Sequence, residues 1–256
     1  MNRILCFMPL MLALCACSVK EDRSVCPCEL FIRPVEPLKT EGNVLVSVIQ
    51  DGTVVKQGML TREDFESGNY SVIVPRKKST ITVFTGITDM NTVGGRLLSI
   101  RYSHQCDEVY SCSEEAALAD DEYECIVLPH KNFALLKLIV LGMPEGGEVK
   151  VRGTVQGYDL VSLDPSGGSF DCEPREGVGS WSLRLPRQTD ESLLLEVSSG
   201  GVPVYEVPLG NLIAASGYSF ADADLSDMTI TVDLTRKDAL IAIAGWELSE
   251  SYVVEF

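Results

Sequence analysis

The chain has 256 residues but only two histidines, His104 and His130, two tryptophans, and 21 basic side chains against 37 acidic ones. Two histidines leave little room for imidazole catalysis or a histidine-built metal site. The formal charge of −16 argues against a nucleic-acid partner, because that affinity rests on neutralising phosphates with Lys and Arg. No stretch approaches the ~18 continuous apolar residues of a membrane-spanning helix. G-x-S-x-G, H-E-x-x-H and a phosphate-cradling glycine loop are also missing. The adjacent carboxylates Asp120-Asp121 lie in a polar, acidic stretch and read as a solvated face, not as a glycosidase pair. The sequence is therefore read as non-enzymatic, with no catalytic residue, cofactor, metal or small-molecule substrate. A hydrophobic share of 45% with 23% charged residues is ordinary for a globular chain and excludes wholesale disorder.

The first segment bears on location. Residues 1–17 read MNRILCFMPLMLALCAC: one basic residue, Arg3, then an apolar run too short to span a bilayer, which needs ~20 residues. This is the form of a signal peptide. Its end, Leu14-Cys15-Ala16-Cys17, fits a lipobox, in which a small residue precedes an invariant Cys. The Cys17 thiol is the expected acceptor of a diacylglycerol, with cleavage just before it. Residues 1–16 are then the signal peptide and 17–28 a lipidated tether. A single acyl chain binds a membrane only marginally, whereas two or three hold stably. Lys20-Glu21-Asp22 resembles the surface-export signal of Bacteroidetes lipoproteins. The expected place is the outer membrane, lipid-anchored and surface-exposed.

Nine cysteines become six once Cys6, Cys15 and Cys17 are set aside: Cys26, Cys28, Cys106, Cys112, Cys125 and Cys172. An even number outside the cytoplasm allows up to three disulfides, with 15 connectivities open. Cys26-Pro27-Cys28 does not close on itself, since alternate residues of an extended chain point apart. A local bridge among Cys106, Cys112 and Cys125 is consistent with their shared acidic segment, 104–125. Neither C-x-C nor C-x₅-C matches structural zinc spacing. His104 lies near Cys106 without a third group to complete a thiol site.

The remaining pattern is β. Apolar runs at 44–49 and 53–57 flank Gln50-Asp51-Gly52, a hairpin signal because a type I′ turn needs positive φ. Runs at 70–75 and 80–85 read as a second pair around the charged turn Arg76-Lys77-Lys78-Ser79. Alternation in these runs predicts one buried face and one wet face. Residues 86–125 lose the rhythm at Gly94-Gly95, with a short helix expected at 114–118 and a closing strand from Cys125. Further strands follow at 133–141, 148–156, 180–185, 193–197, 202–207, 228–234 and 239–245. A short helix is expected at 209–216, and Tyr252–Phe256 is a candidate edge strand. Short strands at ~8–12-residue spacing with Gly and Pro turns indicate β-sandwiches. The fold expected is mainly β, with two sandwich domains at 29–129 and 130–256.

Certain residues are familiar in their order. Asp22-Arg23-Ser24-Val25-Cys26-Pro27-Cys28 follows the lipobox cysteine and leads into a strand. Lys131-Asn132-Phe133 opens the second half. Val207-Pro208-Leu209-Gly210-Asn211-Leu212-Ile213 precedes Gly217-Tyr218. Asp233-Leu234-Thr235-Arg236 is followed by Ile241-Ala242-Ile243-Ala244-Gly245-Trp246. This order resembles the FimB-like fimbrial anchor subunits of Bacteroidales type V pili. The resemblance implies two tandem transthyretin-like β-sandwich domains. It also implies a minor, membrane-proximal subunit that attaches a fibre to the outer membrane and limits its length, with a fimbrial stalk subunit as partner. Only Cys17 carries over as a functional residue, and Trp246 as a signature position. A surface glycan-binding lipoprotein is the rival reading, which would require Trp181 or Trp246 to form a sugar platform.

Overall fold

The computed structural model describes residues 23–243 and the backbone of Glu250–Val253. The signal segment, Cys17, residues 18–22, Gly245, Trp246 and residues 254–256 lie outside the described residues.

The chain is mainly β, in two successive sandwiches. The first has a three-stranded sheet ordered β4–β1–β9, where β1 is Pro27–Pro34, β4 Ser71–Pro75 and β9 Glu122–Val127. Strand β4 runs antiparallel to β1, and β9 runs parallel to it. The facing sheet is β10–β8–β5–β2–β3: β2 is Asn43–Gln50, β3 Thr53–Leu60, β5 Lys78–Ile87, β8 Tyr110–Ala117 and β10 His130–Lys131. Leu30, Ile32, Val46, Val48, Ile81 and Val83 meet between the sheets. Helix α1, Arg62–Glu66, adds Phe65 to that core, and the Thr61 hydroxyl caps it by accepting from the Asp64 N–H, the usual role of Thr at such a position.

The second sandwich pairs two six-stranded sheets. One is β14–β15–β11–β18–β19–β20: Arg175–Gly177, Ser180–Pro186, Phe133–Leu141, Met228–Asp233, Asp238–Ile243 and Glu250–Val253. The other is β17–β16–β12–β7–β6: Val202–Val207, Leu194–Ser199, Gly147–Asp159, Leu97–Ile100 and Asn91–Gly94, with β13, Pro165–Cys172, also on β12. Leu136, Leu138, Val151, Leu183, Leu195, Ile230 and Val232 fill the space between. Helix α2, Leu209–Ala215, closes one end through Leu209, Leu212 and Ile213.

The Asp-Gly hairpin forms as expected, with φ of 51° at Asp51 and 73° at Gly52. Four expectations are corrected. First, residues 114–118 are not helical. Residues Lys78–Thr85 of β5 pair with Tyr110–Ala117 of β8 along its whole length. Ala116 faces the core while Glu114 and Glu115 face solvent. The ladder overrides the helix preference of Glu-Glu-Ala-Ala-Leu. Second, β4 and β5 do not pair with each other. The chain crosses between sheets at Arg76-Lys77, where the Gln50 side chain donates to both the Pro75 carbonyl (2.8 Å) and the Ser79 hydroxyl (2.9 Å). Third, β2 and β5 have no wet face, since Val44–Gln50 and Ile81–Ile87 are buried on both sides. One face meets the first core, and Leu45, Phe84 and Ile87 on the other belong to the second. Near-continuous apolar runs are what strands buried on both faces require. Fourth, the six cysteines are free thiols. Cys28, Cys112 and Cys125 sit in the first core, and Cys106 and Cys172 in the second. They pack as small apolar side chains.

Several surface carboxylates carry a pH prediction. The Leu38 N–H, then Arg62, holds Glu66 below its ordinary value. The Ser192 hydroxyl does this for Asp190 and the Thr235 hydroxyl for Asp233. Groups with depressed folded pKa stabilise above the unfolded value, about 4, and lose that contribution as pH falls through the folded value. Asp107 opposes the trend, because burial raises it and protonation then favours the fold. Thermal scans are expected to show a level midpoint between pH 5 and 7 and a fall below about pH 4. A midpoint unchanged down to pH 3 would contradict this.

Candidate functional site

The residues that sequence reading would assign to chemistry are dispersed. His104 is exposed, with Nδ1 2.8 Å from the Tyr102 carbonyl oxygen. His130 Nδ1 lies 3.1 Å from Asp224 Oδ2. Burial pushes the Cys112 thiol up to about 12 and Cys125 to about 11. Cys172 rises to about 12 and Cys106 further, again through burial. Such thiols stay protonated at neutral pH and are poor nucleophiles. Asp121 pairs with Arg76 instead of forming a carboxylate dyad with Asp120. Among the described residues, no group of three or more His, Cys, Asp or Glu is placed to hold a metal. No helix among them is long and apolar enough to cross a membrane. Trp181 is half-buried against the second core, so its ring is not a free sugar platform. An open groove of about 580 Å³ lies beside β8 and includes Glu114, His130, Asp164 and Arg187. Arg187 is already engaged there by Asn132 Oδ1 and by the carbonyls of Phe220, Asp222 and Ala223.

Three structural features remain. The first is the segment that leads into β1. The Arg76 N–H donates to the Cys26 carbonyl (2.9 Å), and Arg76 Nε donates to that of Pro27 (3.1 Å). The chain entering β1 is thus pinned to the turn between β4 and β5. The second is the opposite terminus, where β20 pairs antiparallel with β19 from Asp238↔Val253 to Ile241↔Glu250. Strand β20 lies at the edge of the sheet; of the strand expected at Tyr252–Phe256 it contains Tyr252 and Val253, and residues 254–256 lie outside the described residues.

The third feature is the junction between sandwiches, which sequence reading missed. Tyr158 is fully buried there. Its hydroxyl donates to the Asn132 carbonyl and accepts from the Arg187 N–H (3.0 Å). Its ring lies 6.3 Å from that of Phe84. The Thr82 hydroxyl donates to the Leu160 carbonyl at 2.7 Å. Arg184 Nε donates to the Cys106 carbonyl at 2.8 Å, and its backbone N–H donates to the Gln105 side chain at 3.0 Å. These paired polar groups, the Tyr158 and Thr82 hydroxyls among them buried, favour one relative placement of the two bodies. The only sequence signal was Gly94-Gly95 between β-rich runs, a hairpin marker that reads equally as a break.

No protein-family description matches the sequence, and no curated protein sequence matches it. Solved structures do. The fimbrial anchor protein Mfa2 from Porphyromonas gingivalis superposes with a TM-score of 0.63 over 89% of this chain and 100% of that one, at 14% identity. The chain has the fold of that fimbrial anchor. A candidate polysaccharide-binding protein from Bacteroides thetaiotaomicron gives 0.64 over 89% and 98% at 10% identity. A candidate adhesin from Bacteroides ovatus gives 0.62 over 88% and 95% at 12% identity. The common element is the fold across both sandwiches.

Proposed function

We propose that the protein is a non-enzymatic outer-membrane lipoprotein, held by acyl chains on Cys17, that anchors a surface fimbria and limits its length. The observation that carries this reading is the fold shared over 89% of this chain with a fimbrial anchor protein, set beside the lipobox. The FimB-like order of motifs supports it independently of the coordinates. The partner is the first stalk subunit, and the other contact is the membrane through the lipid. Trp181, one of the two candidate platform residues, is half-buried against the second core, which disfavours it as a glycan platform; Trp246 lies outside the described residues.

The test is deletion of the gene in its host. Fibres are then expected to be longer and to accumulate in the medium. Fibres unchanged in length and still cell-bound would sink the reading.

A further inference from the structure

The path of the chain between the sandwiches points to a mechanical role for one hairpin. Strand β5 ends in the first sandwich at Ile87. The chain then forms β6 and β7, which pair with each other and, among the described residues, with β12 of the second sandwich. It returns to the first sandwich for β8 and β9, and leaves finally through β10. The backbone therefore crosses the junction three times, at 88–90, at 101–109 and at Asn132 between β10 and β11, so the sandwiches are laced together.

The hairpin is inserted firmly. Ser99↔Gly157, Leu98↔Tyr158 and Leu97↔Asp159 form its ladder. Leu98 and Ile100, 1% and 3% exposed, lie inside the second core. At the tip, the Leu160 N–H donates to the Arg96 carbonyl at 2.7 Å, and the Arg96 guanidinium grips Asp159 at 3.0 and 3.1 Å. The fit needs glycine at 157: a β-carbon there would run into the Leu98 carbonyl oxygen and come within 2.9 Å of Ser99 Cα.

We propose that the hairpin Asn91–Ile100 is a strap under tension, which makes the two sandwiches yield to a pull as one body. Separating them requires peeling β7 from β12, drawing Leu98 and Ile100 into water, and opening the junction around Tyr158 in the same event. Contacts that must all fail together give a single cooperative unit, whereas a simple linker would let each sandwich open separately. The proposal rests on the anchor reading only for the source of the load, since an anchor is where the pull on a fibre meets the membrane.

The test is single-molecule stretching of soluble protein lacking residues 1–17, held at its two termini, with thermal unfolding in parallel. The native chain is expected to open in one step and melt in one transition. Gly157→Val, and a chain with residues 91–100 replaced by a glycine–serine loop, are expected to open in two steps, the first at lower force. Arg96→Ala, which alters only an exposed ion pair, keeps the fold and lowers the single-step force. Two steps in the native chain, or native force and a single step in Arg96→Ala and in whichever other variant folds, would overturn the strap. Because no fibre or lipid is involved, failure here leaves the anchor reading to its own test.

Discussion

Replacing Tyr158 by alanine is expected to destabilise the protein by about 3–5 kcal/mol, the range for removing a large buried aromatic. The ring fills the junction between the two bodies, fully buried against Phe84, and neighbours tied to two sheets cannot collapse to fill the void. The hydroxyl adds a separable part. Tyr158→Phe keeps the ring but strands the Asn132 carbonyl and the Arg187 N–H, and an unsatisfied buried polar group is worth about 1–3 kcal/mol. At roughly 2–4 °C per kcal/mol for a chain of this size, the two variants separate clearly in a thermal scan. The order expected is native, then Phe, then Ala. A Phe variant as stable as the native chain would show that the hydroxyl network does not hold the junction.

The second large effect is expected at Cys17. Each methylene buried in a bilayer contributes about 0.8 kcal/mol, so two or three acyl chains change membrane partitioning by many orders of magnitude. Little else would hold the protein there. Removing residues 1–16 takes away Arg3 and shifts the formal charge from −16 to −17, a surplus that an anionic surface repels. Cys17→Ala is thus expected to move nearly all of the protein from the membrane fraction to the soluble fraction, without altering its melting point. Retention on membranes would show that another feature binds the bilayer.

The parts of the fold legible in the sequence were those written in local chemistry. Asp51-Gly52 dictates its turn because both residues accept positive φ, and alternating apolar residues on β18 and β19 place them as a pair. Where tertiary context decides, local reading failed. Glu114–Leu118 has helical preference, yet a full ladder with β5 makes it strand. The run Val44–Ile49 looked like a half-wet strand because Tyr158, in the layer that covers its other face, lies more than a hundred residues away in the chain. The hairpin at 91–100 was hidden for the same reason, since its partner Gly157 is only one glycine among 21. The cysteines misled by number: an even count permits disulfides, but Cys28, Cys106, Cys112, Cys125 and Cys172 are core side chains. The proposed lipid site at Cys17 is of another kind: a processing signal is read as linear sequence, without a fold, and Cys17 lies outside the described residues.

The central claim is that this subunit ties a fibre to the membrane through Cys17. The most direct measurement is to count fibres on cells and in the medium for strains carrying the native chain or Cys17→Ala at equal expression. The account predicts fibres released into the medium, each still carrying the variant subunit at one end. Fibres that stay on cells in native number, with the variant protein soluble, would contradict it.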